Sequence, residues 1–389
     1  MKQRIAILEK LNVTSSSNHS HCYSTIPSAQ QIRFRTGTGS GINTESEREE
    51  RREKRAPMEK EVVGNLWHGD REAQIQAAML LSRLSSKQRH KLADKGVIEP
   101  LISMLNSQDY EAIEAALCAL LSLAFGSERN KIRIIKSGAL PVLLNLLRCQ
   151  NQTMVELTIA AMLTLSSCKA NKLAIASSGA IQLLVEFLSG EHADSSSIQS
   201  QLDTIATLHN LSTCQEIMPL ISSSGSVFSL LELIHSSGKS CELVEKAVGF
   251  LENIVSSSES ALCEAASIGG SIRILVETME DGSLLGKEHA VGILLLICQS
   301  CREKYRGLIL REGVMPGLLQ LSVDGTGRAK NVARELLLLL RDGSSYGSTS
   351  KQTNHELIEQ IMQEIDAKGE QLGGATLRLV EEMIAKLNT

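Results

Sequence analysis

Aromatic residues are scarce in this 389-residue chain, at 3% of the total with a single tryptophan. Hydrophobic residues nevertheless reach 42%, enough to build a core. A core rich in leucine, isoleucine and alanine but poor in rings suits closely packed helices better than a β-sandwich. The composition therefore predicts an all-α protein.

Long apolar runs and a secretory signal pattern are also missing. The longest apolar runs, Gly292–Cys298 and Leu336–Leu340, fall far short of the roughly 18 residues that a membrane-spanning helix needs. The nine cysteines are irregularly spaced, which favours reduced thiols in an intracellular compartment. We expect a soluble protein of the cytoplasm or nucleus. Import into an organelle is the alternative, because the first forty residues contain five basic residues and only one acid, Glu9.

No strong charge of either sign dominates the chain. The formal net charge is −4 with a pI near 6.2, and no long basic stripe is interleaved with aromatic residues. This pattern disfavours general nucleic-acid binding and favours protein partners.

Motifs for catalysis, cofactors and metals are incomplete. Cys298 and Cys301 have the spacing of half a metal or redox site, but no second pair accompanies them. Ser237–Ser240 resembles the end of a phosphate-binding loop, yet Leu233 stands where the first glycine belongs, and His355-Glu356 lacks a second histidine. We expect a non-catalytic protein with no cofactor and no metal.

What the chain does contain is a sixfold repeat. Six glycines are separated by 42, 41, 46, 45 and 43 residues: Gly96, Gly138, Gly179, Gly225, Gly270 and Gly313. The second residue after each is apolar, the fifth is always leucine, and the sixth is again aliphatic. These offsets place the side chains on one face of a helix. A period of this length indicates a helical solenoid, whose usual work is to bind other proteins.

The repeat also divides the chain into segments. Residues 1–59 are polar and are predicted to be a disordered tail, residues 60–342 form a partial cap repeat followed by six full repeats, 343–352 are a linker, and 353–389 are a helical tail. The longest helix of each repeat is predicted at Glu111–Ala124, Met154–Ser167, Ile198–Ser212, Leu243–Val255, Gly286–Cys298 and Ala329–Leu340. Met58 stands next to the array, so the native start is left open.

Two further segments each have two interpretations. The interval Ser189–Ser200 lengthens the third repeat and is predicted to be an exposed loop, either a neutral insertion or a regulatory phosphorylation site. The C-terminal tail carries two apolar stripes around Gly373-Gly374, which predict either a hairpin that caps the last repeat or a helix that binds a partner.

Short phrases within the repeats carry a family resemblance. Thr207–Ser212, Asn130-Lys131, Asn171-Lys172 and Gly138–Pro141 resemble armadillo repeats, and they look most like those of plant proteins that join a U-box to an armadillo array. The resemblance implies a right-handed superhelical solenoid that binds proteins in a groove lined by the third helices. Because the N-terminal tail is short and polar and has no Cys-Pro-Ile opening, we expect an adaptor or scaffold without a U-box. The alternative is a substrate-recognition subunit in protein ubiquitination whose ligase module is another chain.

The resemblance also selects residues for the groove. A repeated asparagine contacts the peptide backbone in such grooves, and the matching positions here are Ser122, Thr164, Asn210, Asn253 and Leu296. Nuclear-import receptors place tryptophan four residues earlier, where this chain has Cys118, Ala160, Ala206, Gly249 and Gly292. We therefore expect a smooth, shallow groove and no import role. The two asparagines have an alternative role in satisfying backbone groups inside the solenoid.

Acidic residues recur eight positions before the asparagine site. Glu114, Glu156, Glu245 and Glu288 occupy four of five repeats and predict an acidic ladder that attracts basic segments of partners. The alternative is a solvated position near the helix start, where an acid favours the helix dipole. With Ser122, Thr164, Asn210 and Asn253, these four glutamates make up the predicted partner-binding groove.

Overall fold

The computed structural model describes residues 58–189 and 197–341. The chain divides into two compact units, with the boundary between Leu183 and Leu184. Over the described ranges every regular element is helical and no strand is present, which confirms the all-α prediction. Residues 1–57 of the predicted N-terminal tail, the middle of the Ser189–Ser200 insertion, the linker 343–352 and the C-terminal helices lie outside the described residues. Residues 58 and 59, predicted as the end of the tail, are helical.

The first unit begins with two helices before the first full repeat. Helix α1 covers 58–68, and it is followed by α2 (Arg71–Arg83), α3 (Ser86–Asp94), α4 (Ile98–Leu105), α5 (Tyr110–Ala124), α6 (Glu128–Lys136), α7 (Ala139–Leu147), α8 (Gln152–Ser166) and α9 (Lys172–Ser177). Helix α10 (Ala180–Leu188) contains the unit boundary. A 3₁₀ turn, Lys169–Asn171, leads into α9.

The second unit continues the same order of helices. It contains α11 (Ile198–Ser212), α12 (Met218–Ser222), α13 (Ser226–Ser236), α14 (Glu242–Ser257), α15 (Glu259–Ser267), α16 (Ser271–Asp281), α17 (Leu284–Ser300), α18 (Arg302–Arg311), α19 (Met315–Asp324) and α20 (Gly327–Leu340). Each repeat therefore has a short first helix, a second helix that follows the repeat glycine, and a long third helix. The third helices α5, α8, α11, α14, α17 and α20 end within two residues of their predicted limits.

All six glycines of the repeat adopt the same left-handed backbone conformation. Their φ angles lie between 75° and 87° and they connect the first helix of each repeat to the second. A side chain at such a φ clashes with the backbone, so only glycine turns the chain here without strain. The leucine that follows each glycine by five residues is fully buried in every repeat, from Leu101 to Leu318. The repeated pattern thus encodes one turn and one core contact.

Polar side chains begin the third helices. Asp109 accepts a hydrogen bond from the backbone of α5, Asn151 from that of α8, and Ser283 from that of α17. Such caps satisfy amide groups that have no partner inside the helix. Buried asparagines hold the first helices, since Asn130 Nδ2 donates to the Leu123 carbonyl at 2.8 Å and Asn171 Nδ2 to the Lys131 carbonyl at 3.1 Å.

Candidate functional site

The third helices form a row of neighbours within each unit. In the first unit α2 packs on α5 and α5 on α8, and in the second α11 packs on α14, α14 on α17, and α17 on α20. We call the outward side chains of these helices the third-helix surface of their unit. All eight predicted groove residues are on these helices, four in each unit.

The two predicted glutamates of the first unit are half-buried on neighbouring helices. Glu114 lies on α5, and Glu156 lies on α8, where its Oε1 accepts a hydrogen bond from Gln152 Nε2 at 3.3 Å. Two other acids form ion pairs nearby, because Arg71 of α2 binds Asp109 at 2.5 Å and Glu111 at 3.0 Å. The hydrogen bond from Arg71 lowers the pKa of Asp109 below its usual value.

The two predicted glutamates of the second unit tie neighbouring repeats together. Glu245 on α14 accepts a hydrogen bond from Ser283 Oγ at 2.6 Å, and Glu288 on α17 accepts one from Thr326 Oγ1. Ser283 and Thr326 are also the residues that cap α17 and α20. Each hydroxyl therefore accepts from its own helix and donates to the preceding third helix. These glutamates have a structural role that their spacing does not reveal.

The residues at the asparagine position have different surroundings in the two units. Ser122 and Thr164 are buried, and their hydroxyls donate to the backbone carbonyls of Ser82 at 3.5 Å and Ala160 at 3.0 Å. Asn210 and Asn253 are half-buried on α11 and α14. In the first unit this position therefore satisfies backbone groups with small hydroxyl side chains.

A polar network that the sequence analysis missed joins α14, α17 and α20. The Glu252 side chain is only 11% exposed and lies between His289 Nδ1, at 2.8 Å, and Arg328 Nη2, at 2.5 Å. Arg328 also reaches Glu288 at 3.2 Å, so one guanidinium contacts the two preceding third helices. Burial opposes ionisation of Glu252, but the bonds from His289 and Arg328 outweigh it and lower its pKa.

Two glycines make room for this network. A Cβ on Gly292 would lie 2.1 Å from Glu252 Oε1, and a Cβ on Gly249 would lie 3.1 Å from His289 Nε2. Glycine inside a helix costs roughly 1 kcal/mol relative to alanine. The sequence does contain a signal for this network, because glycine stands at the same position of two successive third helices. Such glycines indicate that a side chain from a neighbouring helix packs against the backbone there.

Residues 58–189 and 197–341 hold no metal-binding cluster and no single membrane-spanning helix. No group of three histidine, cysteine, aspartate or glutamate side chains is placed to hold a metal ion there. None of the eight described cysteines forms a disulfide; Cys298 is buried in α17 and Cys301 is exposed. No single helix in these ranges could cross a membrane, and one pair, Gln215–Ser222 with Ser226–Ser236, passes by length and composition only when its 69° bend is ignored.

Comparison with known proteins agrees with this geometry. The family model described as the armadillo/β-catenin-like repeat matches residues 85–125 and 127–167, which are the first two full repeats. Residues 85–167 therefore contain two armadillo repeats. Such repeats are generally non-catalytic scaffolds that bind peptides and other proteins. The predicted resemblance to armadillo repeats is confirmed.

Two curated relatives come from Arabidopsis thaliana. U-box domain-containing protein 45 is 31% identical over 181 residues, which covers 46% of this chain and 22% of that protein. U-box domain-containing protein 17 is 32% identical over 138 residues, covering 34% of this chain and 18% of that protein. The chain therefore spans about a fifth of the length of each relative, and the similarity is confined to the armadillo region.

Solved structures support the solenoid fold. One engineered protein matches with a TM-score of 0.63 at 20% identity, covering 84% of this chain and 78% of that one. A second engineered protein matches with a TM-score of 0.53 at 24% identity, covering 62% of this chain and 97% of its own. At these identities the likeness shows the fold alone.

Proposed function

We propose that this protein is a non-catalytic adaptor that uses its third-helix surface to bind extended or helical segments of other proteins. The observation that supports this most is the side-by-side packing of third helices in each unit, within a chain that contains armadillo repeats. Stacked repeats expose a long, regular surface in place of a closed pocket. A segment that lies across several third helices gains contacts from each one.

The chemistry of this surface favours basic partner segments, mainly on the first unit. Glu114 and Glu156 are half-buried there, and a lysine or arginine beside either would form a partly desolvated ion pair. On the second unit Arg328 compensates Glu252 and Glu288, while Glu245 accepts bonds from Ser283 and Lys246. We therefore assign the attraction of basic segments to α5 and α8.

Affinity capture from a plant-cell extract tests this proposal with a matched pair of variants. The groove variant carries Glu114→Lys and Glu156→Lys. The control carries Glu99→Lys and Glu232→Lys, two exposed acids on the second helices α4 and α13, and so has the same change in net charge. We expect specific partners to be lost from the groove variant and kept by the control, with circular dichroism unchanged in both. Identical partner sets in all three proteins would contradict the proposal.

The similarity to two U-box domain-containing proteins favours one finer alternative. In this alternative the adaptor presents substrates for ubiquitination while another chain supplies the ligase module. Recovery of a U-box protein or a ubiquitin-conjugating enzyme with the wild type, together with ubiquitinated partners, would favour this alternative. A partner set free of both would leave the adaptor role without a ubiquitination step.

A further inference from the structure

The first helices of repeats 1 to 3 are strongly basic. Helix α3 with its C-terminal Lys95, helix α6, and the segment Lys169–Ser177 together hold ten lysines and arginines but only two acids. The matching segments of repeats 4 to 6, Gln215–Ser222, Glu259–Ser267 and Arg302–Arg311, hold four of each. We call the first set the first-helix basic surface. It lies wholly in the first unit of a chain whose net charge is −4.

One internal carboxylate shows how this surface holds an acid. Asp94 at the end of α3 accepts a hydrogen bond from Arg133 of α6 at 2.7 Å and forms an ion pair with Arg129 of the same helix at 3.2 Å. The aspartate thus bridges the first helices of two successive repeats. Paired arginines suit a carboxylate because their planar groups present several donors in one direction.

The next junction lacks this carboxylate. Two residues before the repeat glycine, where repeat 1 has Asp94, repeat 2 has Lys136. The start of repeat 3 lies against α6, since Asn171 Nδ2 donates to the Lys131 carbonyl at 3.1 Å, and it adds the exposed Lys169. The local acid Glu128 is already bound by Lys131 at 2.6 Å. Positive charge therefore accumulates at the junction of α6 with repeat 3, where Lys136 stands at the position equivalent to Asp94.

Four lysines remain exposed on the basic surface and form no ion pair with any residue in the described ranges. They are Lys87 and Lys91 on α3, Lys136 on α6, and Lys169 at the start of repeat 3. Exposed like charges on neighbouring helices repel one another, and an anionic partner relieves that repulsion.

We propose that the first-helix basic surface binds an acidic segment of a partner protein. The aspartate or glutamate side chains of this segment lie between neighbouring first helices, as Asp94 lies between α3 and α6. This site is distinct from the third-helix surface, and it binds acidic segments whereas the third-helix surface binds basic ones. Nucleic acid fits less well, because α3, α6 and Lys169–Ser177 contain no phenylalanine, tyrosine or tryptophan, and His90 is their one ring on which a base could stack. A membrane also fits less well, because the only large apolar side chain exposed on these helices is Leu173.

Fluorescence anisotropy with a labelled glutamate–serine repeat peptide tests the proposal. The test variant carries Lys87→Glu, Lys91→Glu, Lys136→Glu and Lys169→Glu. The control reverses the same number of exposed charges in the second unit, with Lys246→Glu, Arg273→Glu, Lys304→Glu and Arg311→Glu. We expect the test variant to raise the Kd of the peptide at least about tenfold, since several modest ion pairs become repulsive together, and the control to change it by less than about twofold.

Three results would overturn the proposal. The first is a wild type that does not bind the peptide, and the second is equal weakening in both variants, which would indicate a response to net charge alone. The third is a wild type that binds phosphatidylserine vesicles or a single-stranded oligonucleotide more tightly than the peptide. If circular dichroism shows that charge reversal unfolds the test variant, a variant with glutamine at the same four positions is used in its place. We expect this variant to bind the peptide several-fold more weakly than the wild type, and unchanged affinity would contradict the proposed site.

Discussion

The Gly292→Ala substitution tests whether the network that joins α14, α17 and α20 requires glycine at position 292. Alanine inside a helix is normally favoured over glycine by roughly 1 kcal/mol. At Gly292, however, the new Cβ would lie 2.1 Å from Glu252 Oε1. The carboxylate must move, and it then loses its bonds to His289 and Arg328.

The two effects have opposite signs, and their magnitudes decide the outcome. The Glu252 side chain is 11% exposed, and leaving a buried polar group without its partners costs about 1–3 kcal/mol. Arg328 is half-exposed, so solvent screens part of the ion pair and the middle of that range applies. After the helical gain is subtracted, Gly292→Ala is expected to lower the free energy of unfolding by about 1 kcal/mol.

Gly307 on α18 provides the matched control. It also lies inside a helix, but nothing is found within 4 Å of the position that its Cβ would occupy. Gly307→Ala is therefore expected to raise the free energy of unfolding by up to about 1 kcal/mol. Urea unfolding followed by circular dichroism compares the two variants, which should differ by about 2 kcal/mol.

A double-mutant cycle identifies the cause. With Glu252→Ala in the background the clash disappears, so Gly292→Ala should then stabilise the protein as Gly307→Ala does. Our reasoning is refuted if Gly292→Ala is equally destabilising with and without the Glu252 side chain, or if it stabilises the otherwise unchanged protein.

The repeat was predictable because its physical requirements recur in every copy. A left-handed turn requires glycine, and the helix that follows requires a buried leucine at one fixed distance, so both appear six times in the sequence. The long third helices were located for the same reason, and Ile198–Ser212 was predicted without error. Features set by the period of a repeat can be recognised in a single sequence.

The contacts of the third-helix surface were not predictable in this way. Glu252, His289 and Arg328 are separated by 37 and 39 positions along the chain, and none of the three recurs in the other repeats. The spacing placed Glu245 and Glu288 on the third helices, but it gave no indication that Ser283 and Thr326 of the following repeats would bind them. Whether the acidic ladder also binds a partner remains a prediction for the capture experiment.

Three further substitutions test the interior of the repeats, each by urea unfolding. Asn171→Ala removes a buried amide that donates to two backbone carbonyls at 3.1 and 3.2 Å, and it should cost about 2 kcal/mol, whereas Asn145→Ala on an exposed helix face should change stability by less than about 0.5 kcal/mol. Gly138→Ala forces a side chain to a φ of 87° and should cost about 1–2 kcal/mol, whereas Gly64→Ala, with open space around its Cβ, should stabilise helix α1. Burial raises the pKa of Asp203 to about 6, so the folded state binds a proton that the unfolded state has released between about pH 4 and pH 6. The contribution of Asp203 to the free energy of unfolding should therefore fall as pH rises through this window, by up to roughly 3 kcal/mol. Because asparagine does not titrate, Asp203→Asn should be the more stable protein above pH 6 and should lose its advantage near pH 4. A difference that does not vary with pH would show that the pKa of Asp203 is the same in the folded and unfolded states.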